Sequence, residues 1–417
     1  MAKPTKVISM SNRFAAFQHS SYVRYFSARF LAVLAAQIVS VAVGWQIYDI
    51  TKEPIWLGWI GLVQFLPALV LVFVTGLASD KFGRRLLMGL SYLLEALCAA
   101  AILVMAVTNT ISPIPVLIVL TIFGVGRAFA SPAVSALAVN VVPKVDFPNA
   151  VAWNSASWQS ATIVGPVLGG LLYGVSAITA YSVAALSLAA ATLLVCSIPK
   201  PNQRKMTEPT TIGVVLGGFK FIWKEKVILG AISLDLFAVL LGGAVALLPV
   251  YASDILHLGP LGLGFLRAAP GIGAILMVAI ITSFHIKNHV GLILFACVAL
   301  FGASTVVFGF STSAWVAIPA LIFVGAFDMV SVYIRETLLQ LWTPDHMRSR
   351  VNAVNSIFLG ASNELGEFRA GTMAHAYGAV SAVVIGGFAT IGVAASWAVL
   401  FPGIRKTQSL EVEEKTT

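Results

Sequence analysis

Glu364, Glu367 and Arg369 stand where an apolar chain should avoid charge. The stretch FLGASNELGEFRAG (358–371) carries all three, and apolar residues dominate the flanks on both sides. On a helix, residues three and four apart share a face. Glu364 and Glu367 would therefore project together, with Asn363 beside Glu367 and Arg369 roughly opposite. Two carboxyl groups on one face suit proton exchange. A carboxyl beside another carboxyl in a low dielectric favours its neutral form, and a nearby guanidinium favours the ion. A change of neighbours can then load a proton on one side and release it on the other. The alternative is a static charge network that ties one helix to its neighbours.

Other charges share this setting. Asp235, Asp328, Glu95, Arg127, Arg267, Arg335 and Glu336 all fall within apolar runs. An ionised side chain at the centre of a bilayer costs roughly 2.5–3.5 kcal/mol on insertion scales. Such groups face a cavity or pair with one another. Asp235, Asp328, Arg127 and Arg369 join Glu364 and Glu367 as candidates for proton coupling or a charge network. Arg335 and Glu336 approach a helix end.

The bilayer is implied by composition. The 417 residues are 59% hydrophobic and 10% charged, against about 25% charged in soluble domains. About twelve apolar runs are long enough to span: 26–48, 56–78, 86–108, 113–139, 151–174, 177–198, 228–251, 261–283, 289–310, 315–340, 351–374 and 378–401. The expected fold is an all-α integral membrane bundle in two halves of six spans. The organisation is a tail (1–25), a first half (26–198), a linker (199–227), a second half (228–401) and a tail (402–417). The linker is polar and basic, and its second part reads as an interfacial amphipathic helix. The start of the chain lacks the apolar core and cleavage site of a signal peptide, so the first span is expected to remain.

Basic residues fall on one side of these spans. Arg13, Arg24, Lys81, Arg84, Arg85, Lys144, the linker, Arg348, Arg350, Arg405 and Lys406 share it, and the other side has essentially Lys52 alone. The bias of basic loops toward the cytoplasm places both termini there, which needs an even span count. The formal charge of +9 is thus a topological signal. With no basic domain carrying interleaved aromatics, nucleic acid is excluded as a partner.

The halves echo each other. LGWIGLVQFLPALVL (57–71) aligns with LGFLRAAPGIGAILM (263–277) at an offset of 206. Asn154-Ser155 precedes Gly165 and Gly170 as Asn355-Ser356 precedes Gly366 and Gly371. Duplicated halves of this kind place a site between them near the midplane.

Between the second and third spans stands GLASDKFGRR (76–85). Gly76, Asp80, Lys81, Gly83, Arg84 and Arg85 fill a pattern that resembles the signature loop of the major facilitator superfamily. The resemblance implies a cytoplasmic latch in which Asp80 meets the start of the eleventh span. ATIVGPVLGG (161–170) resembles that family's antiporter motif through Gly165, Pro166, Gly169 and Gly170, with Ala161 upstream where a glycine is usual. A plain packing seam is the alternative reading. Arg127 matches an arginine common in the fourth span, although Ala-Phe-Ala-Ser follows it in place of a Gln-Gly pair. Segments such as LGPLGLGFLRAAPGIGA and NAVNSIFLGASNELGEFRAG resemble the enterobactin-exporter-like branch, and the likeness covers essentially the whole chain. It implies proton-driven export of a small organic molecule, a siderophore or drug-like compound, by a monomer in a bacterial inner membrane. Import or uniport of a similar compound stays open.

An amphipathic cavity needs hydrogen-bond partners and aromatic walls. Gln37, Trp45, Gln64, Asn154, Trp158, Asn355, Phe358 and Asn363 are the candidates. The expected partners are thus a small-molecule substrate, protons and lipid. No HExxH, GxSxG or phosphate loop appears, and no enzyme, cofactor or metal chemistry is expected. His285 and His289 are four apart beside a loop and read as solvated.

Overall fold

The computed structural model describes residues 13–200, 212–284 and 288–409. Fifteen α-helices follow one another there: α1 (Ser20–Thr51), α2 (Ile55–Phe82), α3 (Arg84–Val107), α4 (Pro113–Ala138), α5 (Phe147–Val175), α6 (Ala177–Cys196), α7 (Ile212–Lys224), α8 (Lys226–Gly242), α9 (Leu248–Val250), α10 (Gly259–Ser283), α11 (Val290–Gly309), α12 (Ala314–Trp342), α13 (Asp345–Tyr377), α14 (Ala379–Leu400) and α15 (Pro402–Arg405). Short 3-10 and π turns fill the remaining helical positions around α9.

Among the described residues, ten stretches are long and apolar enough to cross a membrane. This is an integral membrane protein. Two further long helices, α5 and α13, are too polar to count by composition, yet both lie inside the bundle. They are two of the helices that join the halves, so one face of each meets protein where a lipid-facing helix would need apolar residues. Twelve spans result among the described residues.

Packing repeats between the halves. In the first, α1 packs on α5 and α6, α2 on α4, and α3 on α4 and α6. In the second, the seventh span (α8 onward) packs on α13 and α14, α10 on α12, and α11 on α12 and α14. Each pairing in one half thus has a counterpart in the other. The halves meet along two further seams, α2 with α13 and α5 with α10.

Helix ends are tied at the face that carries the basic residues. Gly83 turns α2 into α3 with φ of 87°, a conformation glycine adopts at little cost. Arg84 donates to the Ala136 carbonyl (3.1 Å) and to Asn140 Oδ1 (2.7 Å) at the end of α4. Arg85 donates to the Ile198 carbonyl (2.5 Å), and Arg24 to that of Ser197, beyond α6. Cations at helix C-termini satisfy free carbonyls and complement the macrodipole. Helix α7 lies against α13, with Ile222 buried beside Val351 and Val354.

The seventh span departs from the uniform helix that its apolar run suggests. Helix α8 stops at Gly242, Gly243 is non-helical, and a 3-10 turn (Val245–Leu247), α9 and a π turn (Tyr251–Ile255) carry the chain onward. Irregular backbone at membrane depth is tolerated where it is buried or lines a cavity. Val245 and Ala246 line one.

Small residues set the closest approaches. A Cβ added at Gly325 would collide with the Pro270 carbonyl, and one at Gly273 with that of Ile322, which locks α10 to α12. Gly325→Val is expected to cost about 1–3 kcal/mol or more by overpacking. Thermal unfolding of the purified protein checks this against Gly392→Val, because space around Gly392 is open.

Candidate functional site

The carboxyl groups of Glu364 and Glu367 converge on Gly61 of α2. A Cβ at Gly61 would lie 2.8 Å from Glu367 Oε2 and 3.0 Å from Glu364 Oε2. A side chain at 61 would displace both carboxyl ends from this position. The same seam runs on through Gly58, whose added Cβ would lie 3.0 Å from the Phe368 carbonyl, and through Gly371 against Gly58 and Pro54.

These carboxyls face a cavity of about 190 Å³ between the halves. Gln37, Ser40 and Gly44 of α1, Leu57, Ile60 and Gln64 of α2, and Arg127 of α4 line it from the first half. Val245, Ala246, Arg267, Glu364 and Glu367 line it from the second. Arg267 crosses the divide. Its Nη1 donates to Ser40 Oγ at 2.6 Å, while its Nε is buried without a hydrogen-bond partner.

A second cavity of about 530 Å³ adjoins the first, sharing Gln64, Arg127 and Glu364. Phe65, Leu69 and Val72 of α2, Ala128 and Pro132 of α4, and Ala353 and Ile357 of α13 make it largely apolar. It reaches Thr75 and Ser135. Thr75 is seven residues from the end of α2 at the basic face, about 10 Å along the helix.

The halves are held together at the opposite end. Gly170 abuts the Pro260 carbonyl, and a Cβ at Gly264 would lie 2.6 Å from the Pro166 carbonyl. Tyr48 donates to Asp254 Oδ2 at 2.5 Å, from α1 to the π turn of the seventh span. The glycines of ATIVGPVLGG therefore divide their work. Gly165 backs onto Gln37 and Gly169 onto Ile38, both on α1, while Gly170 serves the seam with α10.

The remaining charges lie elsewhere. Asp235 pairs with Arg335 at 2.8 Å, deep between α8 and α12. Asp328 and Ser331 share a void of about 10 Å³ with Asp235. This network is internal to the second half and lines neither cavity. Glu95 is buried against Gly126, where an added Cβ would lie 2.9 Å from its Cγ. Arg369 points away from Glu367 toward Gly386 of α14, near the Leu241 carbonyl at the end of α8. Its Nη1 donates to Met373 Sδ at 3.0 Å, and its Nε and Nη2 are buried without hydrogen-bond partners. The C-terminus of α8 supplies a favourable dipole there.

Of the proposed lining residues, Gln37 and Gln64 reach the cavities. Trp45 packs on the core of the first half. Asn154 accepts from the Tyr22 hydroxyl at 3.3 Å, and Asn355 donates to Glu336 at 2.9 Å. Trp158 is half-exposed and lines neither cavity. Phe358 packs on Phe219 of α7, with centroids 5.4 Å apart. Asn363 is exposed and donates to the Leu359 carbonyl of its own helix. The expected loop starts later than the motif does: Gly76, Asp80 and Lys81 lie on the last turns of α2, and only Gly83 stands between it and α3. The side chains of Asp80 and Lys81 lie outside the described residues, as does His285. Among the described residues, no cluster of three His, Cys, Asp or Glu could hold a metal ion.

A family model described as transmembrane secretion effector matches residues 11–416. The chain belongs to the major facilitator superfamily. Solved structures of major facilitator transporters share its fold at low identity. The nucleoside transporter NupG aligns with a TM-score of 0.69 at 15% identity, over 91% of this chain and 99% of that one. A bacterial homologue of the human lysosomal transporter Spinster, inward-facing and occupied, gives 0.72 at 12%, over 95% and 97%. A D-xylose-proton symporter gives 0.68 at 14%, over 95% and 100%. No curated protein matches the chain in sequence.

In a major facilitator bundle, contacts between the halves set which end is open. Ser40→Ala removes the Arg267 bond across the divide, a charge-assisted hydrogen bond worth about 1.5 kcal/mol, or roughly tenfold in population. The expected outcome is faster labelling of a Leu57→Cys reporter from the Asp254 end, in a Cys196→Ser background. An impermeant maleimide in oriented vesicles measures it.

Proposed function

We propose that this chain is a secondary transporter that exports a small amphipathic organic molecule in exchange for protons. Alternating access of the cavity between its halves moves the molecule. One observation carries the reading. Two carboxyl groups, Glu364 and Glu367, sit in that cavity against a helix of the opposite half. When the halves move, the surroundings of both groups change, and groups so placed can take a proton in one state and give it up in the other.

The description of the matching family, a transmembrane secretion effector, supports outward movement. The enterobactin-exporter-like segments support a siderophore or drug-like cargo. The distribution of basic residues supports cytoplasmic termini. The likeness to the exporter-like branch supports a monomer in a bacterial inner membrane. In that orientation the contacts at the Asp254 end close the outside, and the apolar cavity faces the cytoplasm. Asp80 and its neighbours then act as a latch that engages the start of α13 when the cytoplasmic end closes. Gln37 and Gln64 supply hydrogen bonds to the cargo, with Arg127 and Arg267 as its charged neighbours.

A D-xylose-proton symporter shares the fold, which favours proton-coupled import as the second reading. Vesicles of purified protein distinguish the two. Under an imposed pH gradient, exchange drives substrate against the proton flow and symport drives it along. Glu364→Gln and Glu367→Gln are each expected to insert normally and to abolish accumulation driven by the gradient, leaving at most downhill flux. Flux that ignores both the gradient and an artificial pH jump would defeat proton coupling. Unchanged pH-driven transport in both variants would reduce the carboxyl pair to a structural element.

A further inference from the structure

Arg127 shares the junction of the two cavities with Glu364, and it differs from the other charges there in its exposure. It lies about halfway along α4, at membrane depth, and it is exposed. Among the described residues it forms no hydrogen bond and no ion pair. Arg267, by contrast, holds Ser40, and Arg335 holds Asp235. The carboxyls of Glu364 and Glu367 are tucked against Gly61. The charge most accessible to a ligand is therefore positive.

The position of Arg127 is equally specific. It lines both cavities, at the junction between the polar chamber and the largely apolar one. Beyond it toward the basic face run Leu69, Val72, Pro132 and Ile357. A guanidinium in a low-dielectric cavity calls for an anion, and its planar fork matches a carboxylate or phosphate through two hydrogen bonds. The apolar wall calls for a hydrocarbon or aromatic body, which gains about 25 cal/mol for each Å² it removes from water.

We propose that the ligand of this cavity is an amphipathic anion. Its acidic group binds Arg127 at the junction, and its apolar body lies along α2, α4 and α13 toward the basic face. This rests on the transport reading only in taking the cavity as a ligand site, and it narrows the substrate to a charge class. Glu364 lines the junction beside Arg127, whereas the Glu367 carboxyl lines the polar chamber alone, beyond the acidic group, and stays free to exchange a proton while the ligand is bound.

The test is binding rather than flux, so its outcome is separate from that of the transport reading. Phenylbutyrate, phenylbutanol and phenylbutylamine share one apolar body and differ in head group. Their binding to the protein in nanodiscs, corrected for empty nanodiscs, is measured by equilibrium dialysis at neutral pH. Phenylbutyrate is expected to bind about tenfold more tightly than phenylbutanol, the scale of one charged hydrogen-bonded pair, and more tightly still than phenylbutylamine. Arg127→Gln removes that advantage, Arg127→Lys keeps part of it, and Leu69→Asn weakens all three probes alike. Equal binding of the three, preference for the amine, no binding of the acid, or an acid preference that survives Arg127→Gln each overturns the proposal. Proton-coupled flux of another compound would then leave the transport reading standing without it.

Discussion

The contact between Gly61 and the two carboxyls of α13 is the constraint from which the rest of the site follows. Two acidic groups three residues apart need room on one helix face. Against a facing helix, that room is largest where the helix has no side chain. Gly61 supplies it, and Gly58 and Gly371 extend the close approach along the same seam. That approach brings α2 and α13 together across the divide between the halves. It also fixes where the cavity lies, because Gln64, three residues beyond Gly61, falls between the polar chamber and the apolar one. A larger residue at 61 would displace the two carboxyl ends from their place against α2.

The position of each charge relative to that divide separates two classes of buried ion. Asp235 and Arg335 belong to one half and would move with it as a unit under alternating access. Their partners stay the same whichever end is open, so their pairing suits a fixed strut. A buried pair of this kind is weak as a source of stability, but breaking it is costly because it strands a charge. Glu364, Glu367 and Arg267 also belong to one half, yet they touch Gly61 and Ser40 of the other. Their surroundings depend on how the halves sit. Only charges of the second class can report the conformation to a proton.

Much of the fold was legible in the chain because the bilayer imposes a strict length and polarity on each span. Each expected run coincides with a helix or, for the seventh, with a helix continued by turns. The break in the seventh was marked only by Gly242-Gly243, a pair that tight packing alone would also explain. The duplicated register of Asn154 and Asn355 coincides with repeated packing of α5 and α13, but it does not extend to the partners of the two side chains. One meets Tyr22 and the other Glu336. The interior charges were equally visible, since an ion among apolar residues stands out. Their grouping was not. Helical periodicity gives the angle between two residues on one helix, as for Glu364 and Glu367. It does not give the rotation of that helix in the bundle, which is why Asp328 and Arg127, both central in their spans, face different surroundings. The link that Arg267 makes across the divide was not legible, because its partner Ser40 lies 227 positions away.

The two chambers and the broken seventh span bear on one another. A continuous helix through Gly243 would carry regular side chains past the cavity and bury its own polar backbone. The break instead brings the 3-10 turn at Val245 and Ala246 to the cavity wall. It also ends α8 near the guanidinium of Arg369, so that one of the orphan cations meets the negative end of a helix. Arg369 therefore serves the backbone of the break, while Glu367, two residues earlier on the same helix, serves the cavity. The sequence ELGEFR places opposite charges on opposite faces of one helix. Each face meets a different requirement: room for an acid beside a glycine, and a cation for an interrupted helix end. The three charges in an apolar stretch are thus two devices back to back, and neither neutralises the other.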